Sequence, residues 1–72
     1  MVADAIIVKF SKRVRQLRRE HGYSQQKLAE LADIEYKHVQ RLEGKRPCDV
    51  KLTTLAKLAH AFKIPLSKLL TF

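Results

Sequence analysis

The sequence has no tryptophan, one cysteine, two glycines and two prolines in 72 residues. A single cysteine, Cys48, excludes an intramolecular disulfide and points to a reducing, cytoplasmic setting. So little glycine and proline is a poor supply of turn residues for a β fold and favours helices. Long apolar runs are missing as well. The longest, Ala5-Ile6-Ile7-Val8, follows Asp4 and is too short for a signal segment or a membrane span. His21, His38, His60 and Cys48 share no metal-ligand spacing, and no metal or cofactor is expected. Ser11, Ser24 and the histidines form no nucleophile–base motif. A domain this small buries only about 60% of its unfolded surface, too little for a water-excluding catalytic pocket. An enzyme is excluded on these grounds.

What is present is apolar side chain and positive charge. Hydrophobic residues make up 46% of the chain, enough to drive folding of one domain over residues 1–72. Fifteen Lys and Arg stand against seven Asp and Glu, a net charge of +8. A field of that sign captures polyanions, nucleic acid first and an anionic membrane surface second.

The apolar spacing predicts helices. Residues 1–5 read as a short tail. Ile6, Phe10, Val14, Leu17 and His21 then keep one face of a first helix, closed by Gly22 in a left-handed conformation. Ser24 is a natural N-cap for a second helix that buries Leu28, Ala29, Leu31 and Ala32. Lys27 stands where a capping box would need Glu or Gln. After Asp33 and Ile34 the pattern resumes, with Tyr36, Val39 and Leu42 on a third helix ended by Gly44. Lys45 to Lys51 reads as a loop. Leu52, Leu55, Ala56, Leu58, Ala59 and Phe62 mark a fourth helix, with Asp49 or Thr53 as its cap. Pro65 suits the opening of a short fifth helix, 66 to about 70.

Two short helices joined by a tight turn can read DNA when the second fits the major groove. Residues 25–43 meet the physical needs. Ala29 is small where the helices cross, and Asp33 tolerates positive φ at the turn. Ile34 pins the linker, and Val39 and Leu42 form the buried stripe of the second helix. Tyr36, Lys37, Gln40 and Arg41 are left pointing outward.

In this pattern the chain resembles the lambda-repressor-like (XRE/Cro-type) helix-turn-helix regulators. The likeness rests on Leu28, Ala29, Ala32, Ile34, Val39, Leu42 and Glu43, on the 52–62 helix, and on Ile64-Pro65-Leu66-Ser67. It covers roughly residues 6 to 70. Asp33 replaces the family's usual glycine, and the loop before the fourth helix is slightly long. The resemblance implies an all-α, compact five-helix domain binding double-stranded DNA in the cytoplasm, at the nucleoid. It implies base contacts from Tyr36, Lys37, Gln40 and Arg41, since Gln suits adenine and Arg and Lys suit guanine. Phosphate contacts fall to Ser24, Gln25, Lys45 and Arg46, and a structural ion pair to Arg18 and Glu43.

Ile64, Leu66, Leu69, Leu70 and Phe72 exceed what one short helix buries, which suggests a homodimer on a palindromic operator. A protein-interaction module of the same fold would carry acidic or apolar residues on the outward face of the third helix, and this one carries Tyr, Lys, Gln and Arg. A single-strand or RNA binder would want interleaved aromatic platforms, which the chain lacks.

Overall fold

The computed structural model describes residues 2–44 and 49–72. Every regular element among them is an α-helix: α1 (Val2–Glu20), α2 (Gln25–Ala32), α3 (Tyr36–Glu43), α4 (Leu52–Phe62) and α5 (Leu66–Leu69). None is long and apolar enough to cross a membrane.

One core joins them. Phe10, Val14 and Leu17 of α1 pack with Leu28, Ala29 and Ala32 of α2 and with Val39 and Leu42 of α3. Leu58, Ala59, Ala61 and Phe62 of α4 and Leu69 of α5 complete it. The spacing of 10, 14 and 17, with Ser11 buried beside them, places the buried stripe of α1 where the periodicity put it.

The ends of the helices depart from the sequence pattern. α1 begins at Val2, so residues 2–5, expected as a tail, are helical. The sequence there, Val-Ala-Asp-Ala, is too short to show a helical period that would mark a start. Ile6 is 55% exposed and Leu52 71% exposed, though both were expected to face inward. Each sits near the start of its helix, where side chains lean back toward the N-terminal end and past the core. Thr54 and Ala61 take the inward positions of α4, and Ala56 is exposed. Leu31 is also on the surface, at 39%. The N-cap of α4 is Lys51, with no side-chain hydrogen bond, and neither Asp49 nor Thr53.

Three helices end by the same device. Gly22, Asp33 and Lys63 are left-handed, with φ of 69°, 55° and 58°. The amide after each reaches back five residues: Tyr23 to the Arg18 carbonyl (3.0 Å), Ile34 to Ala29 (3.0 Å) and Ile64 to Ala59 (3.1 Å). Tyr23, Ile34 and Ile64 then pack against the core, so each closure couples a backbone bond to an apolar anchor. Gly22 and Asp33 suit this conformation, and Lys63 does not. Lys63→Gly is expected to raise stability by about 0.5–1 kcal/mol, because relief of the left-handed cost exceeds glycine's extra unfolded-state freedom. Urea unfolding checks this, and an unchanged or lower midpoint would mean the turn carries no such cost.

The C-terminal segment divides. Leu69 is buried, and Ile64 and Leu66 pack on the core, while Leu70 and Phe72 stay 41% and 50% exposed. Arg13 ties this end to α1 by donating to the Lys68 carbonyl (2.8 Å).

Candidate nucleic-acid interface

Helix α2 is capped by Ser24, whose Oγ accepts from the Lys27 amide at 3.0 Å. The other leading N–H groups of a helix have no partner within it, so this end favours an anion. Ala29 is 4% exposed at the crossing with α3, which allows the two helices to approach closely. The turn between them is held by the Ile34 closure and by Lys57 of α4, whose Nζ donates to the Asp33 carbonyl at 3.3 Å.

Helix α3 is divided lengthwise. Val39, Leu42 and Glu43 are buried, while Tyr36, Lys37, Gln40 and Arg41 are exposed. At 3.6 residues per turn these two sets fall on separate arcs of the helix. His38 is half-buried between them. Gly44 follows in an extended conformation, and a Cβ there would come within 3.2 Å of the Gln40 carbonyl oxygen. The end of α3 is therefore too tight for a side chain unless that carbonyl gives way.

The buried Glu43 carboxylate gathers three side chains. Arg18 grips it at two points, Nε to Oε2 at 2.7 Å and Nη2 to Oε1 at 2.9 Å. The third arm of that guanidinium, Nη1, donates to the Tyr23 carbonyl at 2.9 Å. Hydrogen bonding to Glu43 holds the Arg18 pKa above its ordinary value, against the opposing effect of burial. Gln25, on the first turn of α2, donates its amide to Glu43 Oε1 at 3.3 Å. Arg15 places Nε 3.6 Å from the same oxygen and donates Nη2 to the Glu43 main-chain carbonyl. This cluster joins α1, the start of α2 and the end of α3.

The expected contacts are distributed unevenly. Tyr36, Lys37, Gln40 and Arg41 lie together on one arc of α3, and Ser24 and Gln25 lie together at the start of α2. Gln25 is half-buried and already engaged with Glu43. Lys45 and Arg46, expected on phosphate, lie outside the described residues, as do Pro47 and Cys48 of the expected loop. Sequence reasoning missed Arg15. It lies three residues before Arg18, and that spacing alone puts both arginines on one side of α1.

An open cleft runs between α2, α3 and the start of α4. Lys37, Arg41, Lys51 and Lys57 line it, and so do Glu30, Asp33, Glu35 and Asp49, as many acids as bases. No His, Cys, Asp and Glu grouping among the described residues has the makings of a metal site.

Residues 13–72 match the family model of the Cro/C1-type helix-turn-helix DNA-binding domain. No curated protein matches the chain. Among solved structures, the chain is similar to the restriction-modification controller protein C.AhdI from Aeromonas hydrophila. The two are 37% identical and superpose with a TM-score of 0.83, over 90% of this chain and 97% of that one.

Proposed function

Because this chain belongs to the Cro/C1-type helix-turn-helix DNA-binding family, we propose that it is a sequence-specific transcription regulator reading a palindromic operator as a homodimer. The observation that carries this reading is the divided α3. A short helix with one side fixed in the core offers Tyr36, Lys37, Gln40 and Arg41 together on the other.

Each residue has a role in that reading. Gln40 pairs with an adenine edge, and Arg41 and Lys37 bind guanine acceptors. Tyr36 offers its ring to a thymine methyl or its hydroxyl to a phosphate. Ser24 and Gln25 bring the start of α2 against one phosphate, and Lys45 and Arg46 hold the backbone beyond α3. The exposed Leu70 and Phe72 supply an apolar contact between two copies. Such a dimer places its recognition helices about 34 Å apart, in successive major grooves. Likeness to a restriction-modification controller protein over nearly its whole length favours a small regulator of that kind.

Selection from a random duplex library, followed by sequencing, tests the reading. An enriched inverted repeat with half-sites one turn apart is expected. Binding without any enriched motif would reduce the protein to a nonspecific cation, and a monomer by sedimentation, free and on DNA, would remove the dimer. Gln40→Ala or Arg41→Ala is expected to relax preference at one operator position, at about 1–3 kcal/mol per lost two-point contact. Lys45→Ala is expected instead to weaken all sequences alike. Identical behaviour of the two kinds of variant would refute the division of roles.

A further inference from the structure

We propose that Arg15 is a DNA phosphate ligand, held ready by the end of α3 beside the start of α2. This rests on the DNA-binding reading and adds to it a contact on α1.

One carboxylate, Glu43, faces two guanidinium groups. The Glu43 side chain is 1% exposed and that of Arg18 15%, and Arg18 spends all three of its nitrogens on Glu43 and Tyr23. Arg18 and Glu43 neutralise one another. The positive charge of Arg15 is then surplus, on a side chain 46% exposed.

Arg15 and the Gln25 amide approach the same oxygen, Glu43 Oε1. The guanidinium therefore stands next to the first turn of α2, which the function reading sets against the DNA backbone. The cleft between α2, α3 and the start of α4 is lined by matched acids and bases and offers no comparable surplus.

The Arg15 Nη2 bond to the Glu43 carbonyl is its one hydrogen bond among the described residues. That bond orients the planar fork and leaves N–H groups for an anion. A guanidinium fork matches two phosphate oxygens at once, and one already oriented loses less freedom on binding. Since the anchoring carbonyl belongs to the last residue of α3, a phosphate on Arg15 also sets the register of the recognition helix against the backbone.

The test measures binding of a fluorescein-labelled, mixed-sequence DNA duplex to the full chain from about 50 to 200 mM salt. Wild type is compared with Arg15→Gln, Arg15→Lys and Lys9→Gln, all well below their melting temperatures. Arg15→Gln is expected to bind roughly tenfold more weakly at low salt. Its slope of log K against log salt should be shallower than wild type by about 0.9, one phosphate's worth. Arg15→Lys keeps the charge and should keep the slope while losing part of the affinity with the fork. Lys9→Gln should change both far less. If Arg15→Gln keeps the wild-type slope, or changes no more than Lys9→Gln, the inference falls and DNA binding stands. If the wild-type protein fails to bind the duplex, DNA binding itself fails and the inference goes with it. A lost affinity with an unchanged slope would assign Arg15 a purely structural part.

Discussion

Replacing Glu43 by alanine is expected to remove about 3–5 kcal/mol of folding stability, because it strands the charge of Arg18, a side chain only 15% exposed, without its carboxylate. At roughly 0.05–0.15 kcal/mol per residue, a chain this size has only about 4–11 kcal/mol in all. Arg18 would lose the acceptors of both Nε and Nη2, and the Gln25 amide would lose its own. The arginine has no escape by deprotonation. Its pKa is raised on folding, so its contribution is complete below the ordinary arginine value and disappears only as pH climbs through the higher, folded one. At every pH used to handle the protein the guanidinium stays charged, and the penalty persists. Arg18→Met combined with Glu43→Leu should recover most of the loss, since apolar side chains can replace a buried pair without stranding either charge. Urea unfolding followed by circular dichroism measures both variants. A single variant within 1 kcal/mol of wild type would show that water reaches Arg18 easily and that the pair contributes little. The double variant should nonetheless bind DNA less well than wild type, because the polar link from α2 to the end of α3 is gone.

Phe62→Ala should cost a similar 3–5 kcal/mol, for an apolar reason. Phe62 is 1% exposed and is among the largest side chains wholly inside the core. Its ring lies nearly parallel to Tyr23, with centroids 6.2 Å apart, and 5.2 Å from the ring of His21. His21 and Tyr23 also make polar contacts with the main chain of the two helix ends. The His21 Nδ1 and Nε2 atoms lie 2.8 and 3.0 Å from the Leu17 and Phe62 carbonyl oxygens, and the Tyr23 hydroxyl donates to Ala61 at 3.3 Å. The group fastens the end of α1 to the end of α4, and none of its members has a part in the DNA reading. Removing the ring is therefore expected to lower the melting temperature by more than about 12 °C. Base preference, measured on the folded protein at low temperature, should stay the same. Altered preference would mean that the α1–α4 junction shapes the recognition surface.

Much of this architecture is legible in the residues, where a local cause acts locally. Gly22 and Asp33 announce left-handed closures because few residues accept that conformation, and Ser24 announces a cap because its hydroxyl has one obvious donor to serve. Lys63 adopts the same closure with no such mark. There the apolar anchor Ile64 and the backbone bond to Ala59 override the preference of the side chain. The start of α1 is hidden for a different reason: Asp4 is the one polar residue in the sequence from Val2 to Val8, and a periodic pattern needs contrast. In the site, the spacing of Tyr36, Lys37, Gln40 and Arg41 shows which side of α3 faces outward. The gathering of Arg15 and Gln25 on Glu43 depends on how three helices meet, which no stretch of sequence records by itself.

The lengthwise division of α3 has an evolutionary consequence. Val39, Leu42 and Glu43 hold the helix, and none of them lies on the exposed arc proposed to face DNA. Exchanges at Lys37, Gln40 and Arg41 are surface changes of about half a kcal/mol or less in stability. Descendants of such a domain can therefore drift from one operator to another through intermediates that all fold. Selection on the address is separated from selection on the scaffold. In a pair that controls its own promoter, protein and operator can then diverge together, one base and one side chain at a time.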